Sequence, residues 1–214
     1  MKTLFLSIAL LFAVSLSAQQ TDKYTQTMIT NLAKIDSAKT TTQKQELSNT
    51  FERIAKAEKD KWQPYYYAAM LQILRTYQMK GYEVKNIDEV LNKADELLIS
   101  ADMISPGNSE ILCMQSMAAS ARISVEPMTR GGSYGMQASE ILKKAIAADS
   151  ENPRAYLLMG QTLFYTPAFV GGGKDKAKPM IEKSLELFKT FKPASTLDPN
   201  WGESMAQGLW KKCE

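Results

Sequence analysis

Acid and base chemistry near neutral pH most often depends on histidine, and this chain of 214 residues contains none. Histidine is also the commonest metal ligand in proteins. The acidic pairs Asp88-Glu89 and Asp95-Glu96 lie in stretches of mixed charge, where solvated carboxylates on a helix surface are the ordinary expectation. We therefore expect neither an enzymatic activity nor a cofactor or metal site.

Residues 166–174, with the sequence TPAFVGGGK, contain the glycines and the lysine of a phosphate-binding loop. A Walker loop needs a glycine where this chain has Ala168 and a hydroxyl residue where it has Asp175. The segment is better interpreted as a flexible elbow between two helices, and a weaker anion-binding site remains open. Phe169 and Lys174 are its candidates for binding a partner.

A similar elbow occupies residues 125–135, where three glycines accompany Arg130 and Tyr134. Arginine and tyrosine are common anchors in recognition surfaces. An equally good interpretation is that both side chains tie the elbow to neighbouring helix ends. An earlier elbow contains Tyr82, so the three elbows together predict an aromatic and basic edge.

Adjacent aromatic residues in the segment Trp62–Tyr67 could stack on a sugar or a peptide. Consecutive helical residues point about 100° apart, so Tyr65 is expected to face the partner helix and Tyr66 or Tyr67 an open surface. The complete set of predicted partner-binding residues is Tyr66, Tyr67, Tyr82, Arg130, Tyr134, Phe169 and Lys174.

Helices must position these residues, and a recurring pattern places them. Four segments repeat an apolar or small residue, a bulky residue four positions later and a third residue three positions after that, all on one helical face. Helix stops are expected five residues beyond each set, at Lys59, Pro106, Ser150 and Lys189. The four sets are Leu47, Phe51, Ile54; Ala94, Leu98, Ala101; Ala138, Leu142, Ala145; and Ala177, Ile181, Ser184.

After three of these stops a new helix begins with a large residue and has a small one four positions later: Tyr65 and Ala69, Leu112 and Ser116, Tyr156 and Gly160. A small residue there lets two helices approach closely.

The pattern resembles the tetratricopeptide repeat family, best in residues 138–163, where NPRAYLLMG is similar to that family's turn and first helix. The resemblance covers residues 45–190. It implies an all-α, right-handed superhelical stack of antiparallel helix pairs, a TPR-like α-solenoid.

The repeats are longer than the family's period of about 34 residues. Leu47, Ala94, Ala138 and Ala177, which lead the four sets, are separated by 47, 44 and 39 residues. The additional residues fall in the elbows within pairs, as binding loops or as longer helices. Because equivalent turns stack on one side of a solenoid, they are expected to form a single edge.

The chain begins with Lys2, an apolar stretch and small residues up to Ala18, which is typical of a secretory signal peptide over residues 1–18. A membrane anchor is the alternative, but the apolar run is shorter than the about 20 residues that a span needs. Without a cysteine near the cleavage point, a lipid anchor is not available. We expect a periplasmic or secreted protein that does not span a membrane.

The remaining chain is divided into N-terminal helices (19–60), helical repeats (61–190) and an extended segment with a capping helix (191–214). Thr41 or Thr42 is the expected N-cap of the second N-terminal helix. Trp201 and Trp210 are expected to cover the end of the stack. A buried Cys113 and a free Cys213 in a frayed terminus are favoured over a disulfide.

A formal charge of +3 with interspersed acids and bases provides no basic stripe for nucleic acid. Repeat architecture favours a non-enzymatic scaffold that binds peptides or proteins by its concave face and elbow edge. The alternative, implied by resemblance to transporter-associated tetratricopeptide subunits, is a periplasmic carrier of small solutes.

Overall fold

The computed structural model describes residues 23–214, apart from the side chain of Tyr82. The predicted signal peptide lies outside these residues. The described part is helical without strands, which confirms the all-α prediction, and none of its helices combines the length and apolar character needed to cross a membrane. The helices are α1 (23–32), α2 (Thr41–Ala57), α3 (Trp62–Thr76), α4 (Ile87–Ile104), α5 (Ser109–Arg122), α6 (Pro127–Ala148), α7 (Pro153–Tyr165), α8 (Lys174–Phe188) and α9 (Glu203–Cys213).

The predicted helix stops agree with the structure to within two residues, since α2, α4, α6 and α8 end one or two positions before them. The repeated sets are the buried faces of these helices, and only Ile54 among their twelve residues is partly exposed. One N-cap differs from expectation. Thr40, and neither Thr41 nor Thr42, caps α2, because its hydroxyl accepts from the Gln43 amide while the Gln43 side chain accepts from the Thr40 amide.

The helices pack as antiparallel neighbours along the chain, with α3 against α4, α5 against α6 and α7 against α8. The first helices of these pairs, α3, α5 and α7, also pack against one another, and α2 covers the other side of α3. One apolar core runs from α1 to α7, and a second joins α7, α8 and α9. The turns within the three pairs therefore lie at one end of the molecule.

Gly160 in α7 shows why the small residue of the repeat is needed. A Cβ at this position would lie 2.6 Å from Cγ1 of Ile181 in α8, nearer than carbon atoms can approach. Ala69 and Ser116, at the equivalent positions of α3 and α5, are likewise buried. The predicted close approach between the helices of a pair is thus present in α7 and α8.

We expect Gly160→Ala to destabilise the fold by about 1 kcal/mol. Overpacking against Ile181 costs about 1–3 kcal/mol, and the better helix propensity of alanine offsets up to about 1 kcal/mol. Gly208→Ala is the matched control, since a Cβ there meets no atom within 4 Å and α9 should gain about 0.5–1 kcal/mol. Urea unfolding measures both changes, and the same sign for both would contradict the packing argument.

The C-terminal helix α9 packs on the last pair, with Leu209 and Cys213 buried against α7 and α8. Cys213 is therefore packed and not frayed, because the final turn of α9 belongs to the second core. Both cysteines are free, and Cys113 is buried inside α5. Trp210 packs against this second core, and Trp201, in the preceding segment, packs against both cores.

Candidate functional site

Three elbows lie at the end of the molecule where the first helix of each pair is followed by the second. The first elbow (77–86) contains a 3-10 helix, Gly81–Asn86. The second (123–126) contains the short 3-10 helix Ile123–Val125, and the third (166–173) contains Ala168–Val170. These elbows are the edge on which the sequence places most of its partner-binding candidates.

The second elbow is mainly a helix extension and not a loop. Residues 127–135, predicted to be an elbow rich in glycine, form the start of α6, with Pro127 at its first position. None of the three glycines has a positive φ. Proline suits the first turn of a helix because its missing N–H would have no partner there. Glycine lowers the stability of a helix but can adopt helical φ and ψ, so α6 can begin at Pro127.

Ion pairs tie the end of α5 and the start of α6, on either side of the second elbow, to α4. Arg130 donates two hydrogen bonds of 2.8 Å from Nη1 to the Asp88 carboxylate, and Arg122 donates to Asp88 and Asp95 of α4. The Tyr134 ring centroid lies 5.9 Å from the Arg130 guanidinium. These contacts favour the interpretation in which Arg130 and Tyr134 tie the elbow to its neighbours. Tyr82 lies in the first elbow, and its side chain is outside the described part.

The third elbow presents apolar side chains to solvent. Phe169 is 89% exposed, and Tyr165 and Val170 beside it are also exposed. The elbow is held from within, because the Gly173 amide donates to the Leu163 carbonyl, while the side chain of Phe169 takes no part in either core. Several exposed apolar side chains close together are a common mark of a binding surface.

The start of α6 adds two methionines at this end. The chain reverses direction at 149–152, so α7, which has 13 residues, runs back along α6 and ends with Tyr165 level with Met136. The nine residues of α6 that precede Met136 extend about 13 Å beyond the end of α7. Met128, in this overhang, is 97% exposed, and Met136 is exposed too. We call Tyr165, Phe169, Val170, Met128 and Met136 the elbow patch.

Tyr66 and Tyr67 lie in the core and not on an open surface. The Tyr67 hydroxyl donates to the Leu197 carbonyl at 2.9 Å, and the Tyr66 hydroxyl accepts from Nε1 of Trp201 at 2.8 Å. As placed, neither presents a surface to a partner, whereas Tyr65 is only partly buried. Helical geometry separates neighbouring side chains by about 100°. It does not reveal that another segment of the chain covers the side of α3 that does not face its partner helix.

Residues 189–202, which we call the strap, provide that cover. The strap crosses the N-terminal turns of the first helices, where Gln63 donates to Asp198 and Leu197 is buried. Gly202 ends the strap with φ 117°, and a Cβ there would lie 2.8 Å from the Phe188 ring. Where the sequence suggested an open surface for Tyr66 or Tyr67, the chain's own segment therefore covers the N-terminal turns of α3 and α7.

A buried ion pair anchors the strap. Arg154, 1% exposed, donates from Nε and Nη2 to the Glu110 carboxylate at 2.6–2.9 Å, and from Nη1 to the Trp201 carbonyl. The Phe191 ring centroid lies 4.4 Å from its guanidinium carbon. Sequence reasoning missed this pair.

A signal for the pair was present in the repeat register. Asn108 and Asn152 cap α5 and α7, and each accepts from the amide two positions later, which belongs to Glu110 or Arg154. Equivalent positions of neighbouring repeats thus have opposite charges. Because α5 and α7 pack side by side, residues at the same level of the two helices meet.

Three buried tyrosines make stability sensitive to alkali. Burial raises the pKa of Tyr24, Tyr66 and Tyr67 above the ordinary value of about 10, with smaller contributions from acidic neighbours such as Glu58, Glu110 and Asp198. Above pH 10 the unfolded chain therefore releases these protons before the folded chain does. The stability from the protonated tyrosines is present below about pH 10 and is lost as pH rises further.

We expect the urea midpoint to fall between about pH 9 and pH 11. In a Tyr66→Phe, Tyr67→Phe variant the midpoint should fall less steeply over the same range, whatever its starting stability. An unchanged slope would show that other groups cause the loss.

The fold and surface define a protein of packed helix pairs with exposed apolar side chains at the elbow end. It is similar to a solved structure, the HusA haemophore from Porphyromonas gingivalis, with 37% sequence identity and a TM-score of 0.81. The similarity covers 89% of this chain and 92% of that one. The chain belongs to the family of that haemophore. No protein-family model matches it, and none of the curated proteins does.

Proposed function

We propose that this protein binds haem as a non-enzymatic carrier outside the cytoplasm. The observation that carries the proposal is the similarity to the HusA haemophore over nearly the whole chain. The predicted signal peptide supports export. From the sequence we expected a carrier of small solutes as the alternative function, and this proposal names haem as the solute.

The elbow patch has the chemistry that a porphyrin requires. The macrocycle is flat and apolar, and burying it against Tyr165, Phe169 and the two methionines removes apolar area from water on both sides. Porphyrin carboxylates need cations at the rim, and Lys174 stands beside the patch. The strap covers the N-terminal turns of α3 and α7, at the opposite end of these helices, which favours the elbow end as the site.

The absence of histidine limits how the iron is bound. Haem iron in proteins is held by histidine, cysteine, methionine or tyrosine, and the buried Cys113 in α5 is not accessible. Tyr165, Met128 and Met136 are the ligating side chains that the elbow patch offers. Affinity in this proposal therefore comes mainly from burial of the ring, with the iron ligand as an addition.

Haem titration of the mature chain, residues 19–214, tests the proposal through the Soret band. We expect one haem per chain with a dissociation constant of about 1 μM or lower, a binding free energy near −8 kcal/mol. The same titration with the chain unfolded in urea controls for adsorption. Absence of saturable binding, or equal binding by the unfolded chain, would refute the proposal.

A second candidate is a scaffold that binds a protein partner at the same edge. Exposed tyrosine and phenylalanine, as in Tyr165 and Phe169, are typical of interface anchors, and the packing of the helix pairs supports a TPR-like stack. Crosslinking in the native cell envelope, followed by mass spectrometry, distinguishes the two candidates. Specific capture of envelope proteins at the elbow patch by haem-free chain, without haem binding, would favour the scaffold.

A further inference from the structure

We infer that Lys174, at the start of α8, binds a carboxylate of the haem and so orients the porphyrin on the elbow patch. This inference rests on the proposed function and adds to it the position of the ligand's charged edge. It concerns recognition of an apolar, flat molecule with acidic groups at one side.

Lys174 stands at the border of the apolar surface. Its Nζ lies 6.0 Å from the centroid of the Phe164 ring, which in turn packs edge-on against Tyr165 at 5.1 Å between centroids. A carboxylate that reached this ammonium would belong to a molecule whose apolar part lies over Tyr165 and Phe169. The Lys174 ammonium and the exposed Tyr165 ring are thus separated by a single side chain, that of Phe164.

The charge of Lys174 is not neutralised by the chain. Within residues 23–214 no carboxylate lies within salt-bridge distance of its Nζ, whereas Arg122 of α5 and Arg130 of α6 both pair with Asp88. Lys178 is turned away, since its Nζ lies 5.1 Å from the Trp210 ring centroid. A ligand carboxylate can therefore reach Lys174 without breaking an ion pair.

The backbone around Lys174 also suits an anion. Gly173 is the N-cap of α8, with φ 102° and no side chain to accept from the first amides of the helix. The N–H groups of the first turn have no intrahelical partner, and they favour negative charge. Asp175 in the same turn opposes this, and the ammonium group of Lys174 offsets its charge. The lysine and the uncapped turn therefore act on the same side of the patch.

Comparing haem with its dimethyl ester tests the inference, because the ester keeps the ring and the iron but has no carboxylate. The unaltered chain should bind haem about 10-fold more tightly than the ester. Lys174→Gln should remove most of that preference, because it should lower the affinity for haem about 5- to 10-fold and leave the affinity for the ester unchanged. Lys176→Gln is the matched control, since two positions along a helix turn its side chain about 200° away.

Each outcome has a distinct meaning. Equal affinity of the unaltered chain for haem and ester would overturn the inference and leave the proposed function standing. Equal weakening of haem and ester by Lys174→Gln, or an equal effect of Lys176→Gln, would also overturn it. If neither compound binds the unaltered chain, the proposed function itself fails.

Discussion

Replacing Arg154 with leucine is expected to lower the free energy of unfolding by about 3–5 kcal/mol. The change leaves the Glu110 carboxylate without its partner in the core and removes the hydrogen bond to the Trp201 carbonyl. It also removes the cation from beside the Phe191 ring. An unpaired buried charge is costly because the protein interior solvates it far less well than water. Urea unfolding of the mature chain measures the loss.

A double-mutant cycle separates the pair from its surroundings. Glu110→Leu alone should also cost about 3–5 kcal/mol, and the double variant should recover much of the loss, since replacing both charges with apolar residues is often nearly neutral. Arg53→Leu, at an exposed position of α2, should change stability by less than about 0.5 kcal/mol. Additive losses in the double variant would show that the strap contacts, and not the ion pair, dominate.

The second large effect is expected at the elbow patch. A Tyr165→Ser, Phe169→Ser variant should bind haem about 100-fold more weakly, because burial of one large aromatic side chain contributes about 1.5–3 kcal/mol. Stability should change little, since Tyr165 and Phe169 are mostly exposed in the chain. Haem titration and urea unfolding on the same preparation give the two quantities.

The control for this variant is Met103→Ser, which removes an equally exposed apolar side chain from α4, near the opposite end of that helix from the elbows. Its haem affinity should equal that of the unaltered chain. A similar weakening by both variants would mean that haem adsorbs to apolar surface in general. Unchanged affinity in the Tyr165→Ser, Phe169→Ser variant would move the site away from the elbow patch.

The candidate site could be predicted only in part. Phe169 and Lys174 were selected from their place in an elbow, and the structure leaves both at the surface. Arg130 and Tyr134 were selected by the same reasoning, yet Arg130 pairs with Asp88, 42 residues earlier in the chain. Residue type indicates what a side chain can bind. It does not indicate which acceptor the fold brings within reach.

The sequence by itself determined where α2, α4, α6 and α8 end and which of their faces are buried. These properties depend on local spacing, such as the set Ala138, Leu142, Ala145 and the small residue Gly160, and each is decided by contacts within a pair of neighbouring helices. The tertiary structure alone decided what lies over the first helices. The strap buries Tyr66 and Tyr67 about 130 residues from its own position, and such a long-range contact leaves no periodic trace in either segment.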